Sequence, residues 1–480
     1  MDLEGYAKQL ILKNKADAES ELKKRILEIK DISENDAKKI AAAVLEETNF
    51  TLNFKEDILT FQKADVSVGN FGVGSRGIGD FYVHGKIGEV IGKTEAVLDA
   101  SNLDDSGVVS FPLSSPLSNP LSNPFLVLTV DGMHSRLSAF PFLAGFHVAR
   151  AALRDIYVMG AKPLAMLSDI HVADDGDVAM IFDHLAGISA VSELTKIPLI
   201  TGSTLRIGGD MVIGGRMTGC VGAAAVLISG EKNLTARKKA APGDLILMTK
   251  GAGGGTIVTT AIYSGYENAA TVIDKTLNTD FLSVCQSLLD RGLNAQIHVM
   301  TDVTNGGIRG DAHEISKEAG VRLIFDDAAL QKCVDAVVLE MLDSLCIDFR
   351  GVSIDSLLVI CPPEIVDAVI CAANDAGSEM FVVGRVEKAD AQKPDDRPGM
   401  HASMQPGAFL IKDGQETDFL PLFREAPYTP LKKAIGENTP PDFEEMRQKV
   451  DEAAEAAVLK KARVVRKILE KEKKKKRNEF

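Results

Sequence analysis

The period of apolar and polar positions changes repeatedly along this chain. Over residues 1 to 60, Tyr6, Leu10 and Ile11, then Ile26 and Ile29, recur at helical spacing among Lys and Glu. Ser33 with Asp36, ahead of Ala37-Lys38-Lys39-Ile40-Ala41, reads as a helix N-cap with an acidic first turn. A helical hairpin, serving as an accessory or dimerisation element, is expected there. Further on, Leu126-Val127-Leu128-Thr129-Val130 predicts a short strand ending in Asp131-Gly132, and Val148 to Met159 predicts a helix carrying Asp155 and stopping at Gly160. A strand over Leu164 to Asp169 and a helix over Val178 to Leu194 follow. The strand Ile197 to Ile200 then leads into Thr201-Gly202-Ser203-Thr204, and Val212 to Leu227 reads as a pair of strands.

From Ala241-Pro242-Gly243-Asp244 onward, strands and helices alternate. One strand ends at Thr249 and runs through Lys250-Gly251-Ala252-Gly253-Gly254-Gly255 into a helix. Others are expected at Met300 to Val303, Val321 to Phe325, Ser356 to Val359 and Phe381 to Val386, with a helix over Val366 to Ala373. This alternation predicts an α/β (α+β) protein. Phe111 to Pro124 reads as a polar surface loop, Asp395 to Pro398 as a linker, and Pro427 to Pro441 as proline-rich loop. Phe443 to Glu472 reads as a charged helix. Four segments result: a helical extension (1–60), two globular halves (61–238 and 239–390), and a linker with a charged helical tail (391–480).

Composition narrows the function classes. With 480 residues, 45% hydrophobic and 25% charged, the chain can bury two or three domain cores. Its net charge of −14 argues against a general nucleic-acid binder, whose phosphate partner it would repel. Only Lys473-Lys474-Lys475-Lys476-Arg477 is strongly basic, as a solvated helix end or an interaction tail. Six cysteines without C-x-x-C spacing read as reduced, and no apolar run approaches membrane-spanning length. A cytoplasmic protein with no membrane partner is expected.

The candidate chemistry lies in carboxylates delivered by separate elements. Asp104 and Asp105 precede Ser106-Gly107-Val108-Val109, Asp131 ends a strand, and Asp155 lies on a helix. Such residues can each be turn formers or caps. Together they offer the hard oxygen ligands that Mg²⁺ and a nucleotide phosphate require. Gly72, Gly74 and Gly77 satisfy G-x-G-x-x-G, yet Gly79 and Asp80 are expected to break the helix that a dinucleotide fingerprint needs. Gly88 to Thr94 is one residue short of a phosphate-binding P-loop. The run Val68 to Thr94 therefore reads as a mobile loop closing over phosphates, helped by Arg76, Lys86 or Lys93. The glycines after Lys250 expose amides before a helix, which suits an anion.

The order DD-x-G-V-V, V-D-G-M, A-L-R-D-I-Y-V-M-G-A-K-P-L and M-T-D-V-T-N-G-G resembles a known superfamily. Its members are aminoimidazole ribonucleotide (AIR) synthetase, selenophosphate synthetase, thiamine-monophosphate kinase and the hydrogenase-maturation dehydratase. The resemblance covers about 65 to 390. It implies a two-domain AIR-synthase-like fold, with an ATP-binding N-terminal half that pairs across a homodimer. It implies ATP and Mg²⁺ as cofactors and a small-molecule substrate. The implied metal ligands are Asp104, Asp105, Asp131, Asp155 and Asp302. Gly72, Gly74, Gly77, Lys86, Gly202, Ser203, Thr204 and Lys250 would contact nucleotide, with Asp131 and Lys86 catalytic.

The chain also departs from the family pattern. His84-Gly85-Lys86-Ile87 resembles the end of the selenophosphate synthetase C-x-C-K-I motif, but Val83 and Gly85 stand where cysteines are expected. Ser203 replaces an acidic or amide residue, and Asn478-Glu479-Phe480 carries no terminal cysteine. An ATP- and Mg²⁺-dependent phosphotransferase or synthetase related to selenophosphate synthetase is expected. The alternative is a nucleotide-binding regulatory or scaffold protein of the same fold without catalysis.

Overall fold

A computed structural model describes residues 1–53, 57–74, 77–111, 124–228, 230–304, 306–389, 405–425, 429–436 and 438–478, with backbone alone at 57 and from 471. Arg76, most of the Phe111 to Pro124 loop, the Asp395 to Pro398 linker and the side chains of Lys473 to Arg477 lie outside the described residues.

The N-terminal extension is a three-helix cluster rather than a hairpin: α1 (Leu3–Leu12), α2 (Ala18–Leu27) and α3 (Glu34–Asn53). Leu3, Leu10, Leu22, Ile26 and Val44 form its own small core, closed by Ile213 from the body. Lys30 ties it down through ion pairs to Asp174 and Asp175.

The glycine-rich run is helical, which corrects the loop expectation: α4 (Val68–Phe71) is followed by α5 (Ile78–Ile91). Gly79 and Asp80 do not break α5, because tertiary contacts outweigh their weak propensity. A Cβ at Gly77 or Gly79 would collide with backbone oxygens of Phe423 or Phe71, so close packing requires glycine there. Asp80 is buried and accepts the Gly74 N–H at 2.9 Å.

The first sheet contains β1 (Gly107–Ser110), β2 (Phe125–Gly132), β3 (Pro163–Val172), β4 (Leu199–Arg206) and β5 (Met217–Leu227), in the order β1-β2-β5-β3-β4. All pairs are antiparallel except β3 with β4. Val212 to Leu227, expected as two strands, holds the single strand β5 after a loop. Helices α6 (Pro141–Tyr157) and α7 (Ala179–Thr195) cover one face. Helix α6 starts seven residues earlier than its apolar pattern suggested, with Pro141 in its first turn, where a missing N–H costs nothing. Most of its residues are buried, so a one-sided stripe was not its signature.

The second sheet contains β6 (Leu245–Thr249), β7 (Val299–Val303), β8 (Val321–Asp326), β9 (Ser356–Cys361), β10 (Met380–Lys388), β11 (Gly407–Lys412) and β12 (Gln415–Asp418). The order is β12-β11-β8-β10-β6-β9-β7. Helices α8 (Gly255–Tyr263), α9 (Ala269–Thr276), α10 (Asp280–Asp290), α11 (Gly307–Ala319), α12 (Asp327–Lys332), α13 (Ala336–Ser344) and α14 (Val366–Asp375) pack around it. Over β6, β7, β8 and β9 both faces are buried. Leu247, Leu357 and Val359 point into the core shared with α6 and the first sheet, while Ile246, Met248, Leu358 and Ile360 point into a second core.

The hairpin β11–β12 falls in a region expected to be linker and tail. Its turn, Asp413-Gly414, has φ of 50° and 77° at the two central positions, the Asp-Gly signature of a two-residue hairpin. That dipeptide was the available signal. Beyond it, Pro430–Ile435 within the expected proline-rich loop forms a short helix, α15, and α16 (Phe443–Asn478) closes the described chain. Phe443 and Met446 of α16 pack with Phe71 and Phe423, fixing α4 against the C-terminal segment. Among the described residues no helix is long and apolar enough to cross a membrane.

Candidate active site

A cavity of about 780 Å³ opens where the C-terminal end of β2, helix α6, the β7–α11 turn and the C-terminal segment meet. Strand β2 carries Asp131 to its rim. Residues Asp104 and Asp105 arrive on the loop before β1, Asp155 on α6, and Asp302 on the fully buried β7. The fold thus gathers all five predicted metal-ligand carboxylates into one cavity, with Gly74 at its edge.

Two buried guanidinium groups organise these acids. The Nη2 of Arg237 reaches Asp105 at 2.8 Å and Asp311 at 3.2 Å, its Nη1 reaches Glu314 at 2.9 Å, and its backbone N–H donates to Asp104 at 2.9 Å. The Nε of Arg154 donates to Asp302 at 3.0 Å, and its Nη1 pairs with Asp355, which Arg150 also meets at 3.2 Å. Hydroxyls complete the set: Thr301 donates to Asp105 at 2.9 Å and Thr129 to Asp155 at 2.9 Å.

The charge balance remains short of cations. Burial pushes the Asp302 carboxyl up to about 7 despite Arg154, with Asp105, Asp355 and Asp131 adding repulsion. Burial, then Asp302, Asp131 and Asp105, raises Asp155 well above the carboxylate range. Asp104 is pushed up to about 6 by burial against the pull of Arg237. One buried oxygen of Asp311, Oδ2, has no hydrogen-bond partner. Crowded, desolvated carboxylates of this kind are relieved by a bound cation. The donor set is all oxygen, which fits a hard divalent ion. Among the described residues no three His, Cys, Asp or Glu side chains form a ready-made cage. Mg²⁺ needs none, since one or two carboxylates plus phosphate oxygens and water usually complete its shell.

The remaining candidates lie elsewhere. Lys86 faces away into ion pairs with Glu89 at 2.9 Å and Asp451 at 3.1 Å, and Lys250 pairs with Glu379 at 3.2 Å. Neither lines the cavity, and neither do Gly72 or Gly77. Gly202, Ser203 and Thr204 sit exposed on β4 at the edge of the first sheet. The structure does not bring these residues to the carboxylates within one chain.

Sequence reasoning missed Arg154, Arg237, Asp311, Glu314 and Asp355. Arg154 had a signal, an arginine inside the apolar run Ala151-Ala152-Leu153-Arg154-Asp155-Ile156. Arg237 had none, because Arg237-Lys238-Lys239 reads as an exposed basic turn.

The two sheets, their helices and this acid-lined cavity define a mixed α/β protein of the AIR-synthase-like fold. Residues 103–221 match the AIR synthase related protein N-terminal domain, and residues 241–396 match the C-terminal domain of the same description. The chain belongs to the AIR synthase-related family. It is 47% identical over 486 residues to an uncharacterized protein of Methanocaldococcus jannaschii, covering 99% of this chain and 100% of that one. It is 31% identical over 193 residues to a selenide, water dikinase of Myxococcus xanthus, covering 39% of this chain and 50% of the enzyme. The chain thus spans half the length of that dikinase. The crystal structure of hydrogenase maturation protein HypE in complex with ATP shares the fold, with a TM-score of 0.51 at 16% identity, covering 75% of this chain and 93% of HypE.

Proposed function

We propose that this chain binds ATP with Mg²⁺ in the carboxylate-lined cavity and uses it to phosphorylate or activate a small-molecule substrate. The observation that carries this reading is the cluster of Asp105, Asp131, Asp155 and the buried Asp302, which repel one another around a cavity large enough for a nucleotide. The dikinase relative and the ATP-bound HypE, proteins of the same family and fold, support it.

Asp131 and Asp302 would hold Mg²⁺ against the phosphates, with Asp105 and Asp155 completing or orienting the set. Mg²⁺, when bound, supplies neutralisation of phosphate charge. Arg154 and Arg237 keep the carboxylates fixed in number and direction, so positioning and electrostatics supply most of the catalysis. A nucleophilic oxygen or nitrogen of the substrate would bond to the γ-phosphorus as its bond to ADP breaks, its proton passing to water. The test is ATP consumption with and without Mg²⁺ across a set of candidate acceptors. Acceptor-stimulated turnover supports the reading. Binding with slow hydrolysis that no acceptor changes would favour a regulatory protein.

Homodimerisation belongs to the same proposal. The sheet face turned away from α6 and α7 exposes Leu128, Val130, Leu164, Leu167, Ile200 and Leu205. Such a patch on one sheet face suits a second copy of that face. It would also cover Ser203, which pairs with Asp169 on that face and could then serve the partner's cavity. The double variant Leu167→Glu, Ile200→Glu is expected to weaken the dimer by about 100-fold or more, since buried unpaired carboxylates cost about 3–5 kcal/mol. Analytical ultracentrifugation reads the shift, and an unchanged dimer would refute this interface.

A further inference from the structure

The far end of helix α16 is basic, aliphatic and largely uncovered, and the nucleotide reading makes no use of it. Up to Lys461 the helix is bound to the body. Phe443 and Met446 pack with Phe71 and Phe423, while Asp451 accepts from the Tyr82 hydroxyl and pairs with Lys86 at 3.1 Å. Lys460 donates to the Ile58 carbonyl at 2.9 Å and to that of Thr60. Lys461 donates to the Ile91 carbonyl at 2.9 Å and to that of Val90. These last two carbonyls end α5, so Lys461 places a cation at the negative end of that helix dipole. From Lys461 to Glu470 every residue except the half-buried Val464 is exposed. The backbone continues as helix to Asn478, about 25 Å past Lys461 at 1.5 Å per residue.

This end is amphipathic. Val458, Ala462, Val465 and Leu469 recur at i, i+4, i+7 and i+11, which places them on one face, with Ile468 beside it. Val465, Ile468 and Leu469 are 49%, 51% and 51% exposed. Arg463, Arg466 and Lys467 flank or oppose that face, and no acidic residue lies between Glu455 and Glu470. The sequence then runs on into Lys473-Lys474-Lys475-Lys476-Arg477. In a chain of net charge −14 this is a marked segregation of positive charge. The segments that anchor Lys460 and Lys461 themselves expose Ile58, Leu59 and Ile91.

Whatever covers this end has to accept aliphatic side chains and offer negative charge together. The same helix of a second copy offers the first and repels through its own basic residues. A nucleic acid offers phosphates and leaves Val465, Ile468 and Leu469 in water. An anionic lipid surface supplies both and needs no shaped groove: the aliphatic face enters the headgroup–acyl boundary, while long Lys and Arg side chains reach the lipid phosphates. We propose that the end of α16 lies on an anionic membrane surface and holds the protein there reversibly. The expectation of no membrane partner came from the lack of an apolar run of spanning length, and a helix lying on the surface needs none. The proposal stands apart from the nucleotide reading.

The test is flotation of the full chain with vesicles of phosphatidylcholine, alone or with about 30% phosphatidylglycerol. Wild type is expected to bind the anionic vesicles about tenfold or more tightly than the neutral ones. That binding should fall as salt rises from about 0.1 M to about 0.5 M, because screening shortens the reach of the charges. The double variants Arg466→Gln, Lys467→Gln and Ile468→Ser, Leu469→Ser should each weaken it about tenfold or more. All four positions are exposed, so thermal melting of both variants should match wild type. No flotation with either vesicle, equal flotation with both, or binding that ignores both double variants overturns the proposal. Two other results overturn it by naming a different occupant. Tight binding of a fluorescent single-stranded RNA by a wild type that leaves vesicles alone would assign the basic face to nucleic acid. A smaller sedimenting species for Ile468→Ser, Leu469→Ser than for wild type, without vesicles, would assign the apolar face to a second copy.

Discussion

Arg237→Met is expected to be the most destabilising single substitution in the cavity wall. It removes the one guanidinium shared by Asp105, Asp311 and Glu314 and leaves these acids buried. Breaking a buried pair by removing one partner costs about 3–5 kcal/mol, most of it the stranded charge rather than the lost contact. The pH dependence gives the mechanism away. Asp104 and Asp311 already have folded pKa values raised by burial. An acid whose folded pKa is raised destabilises the fold as pH rises through that value, and the penalty fades when both states are protonated. The variant's deficit in urea unfolding should therefore be largest near pH 8 and shrink towards pH 5. A deficit under 1 kcal/mol at pH 8 would contradict the role given to Arg237.

Asp302→Asn should separate binding from stability. Asp302 has a folded pKa of about 7 against an ordinary 3.8, so it weakens the fold as pH climbs through that window and exacts its full penalty above it. Asn keeps the shape and removes the charge. Arg154 retains Asp355, so the arginine is not stranded. Stability at pH 8 is expected to match or exceed wild type. Mg²⁺-dependent ATP affinity is expected to fall on the order of 100-fold, since even outer-shell changes at metal sites cost about 10–100-fold. Unchanged ATP affinity with Mg²⁺ would remove Asp302 from the metal set.

How much of this could be read from the chain depended on whether each signal was local. The strand into Asp131, the acid pair at Asp104-Asp105 and the strand into Asp302 are short local patterns, and the fold brings these acids to one cavity. The helix over the glycine run was illegible because its cause lies far away: Phe423, some 345 residues on, packs over Gly77 and Gly79. Arg237 was illegible for the same reason, since its partners span Asp104 to Glu314. Hairpin β11–β12 was legible through Asp413-Gly414 and was overlooked amid the polar composition around it. Lys86 and Lys250 were expected as phosphate contacts from the resemblance to the family's motifs. In the folded chain each is committed to a neighbouring carboxylate.

The measurement closest to the central claim is ATP binding by calorimetry, with and without Mg²⁺, on wild type and on Asp131→Asn. Asp131 sits at the rim of the cavity where β2 ends, and its replacement should leave the fold intact. Mg²⁺-dependent binding by wild type that Asp131→Asn loses is the predicted result. Absence of binding by wild type in both conditions, or equal binding by the two proteins, would contradict it.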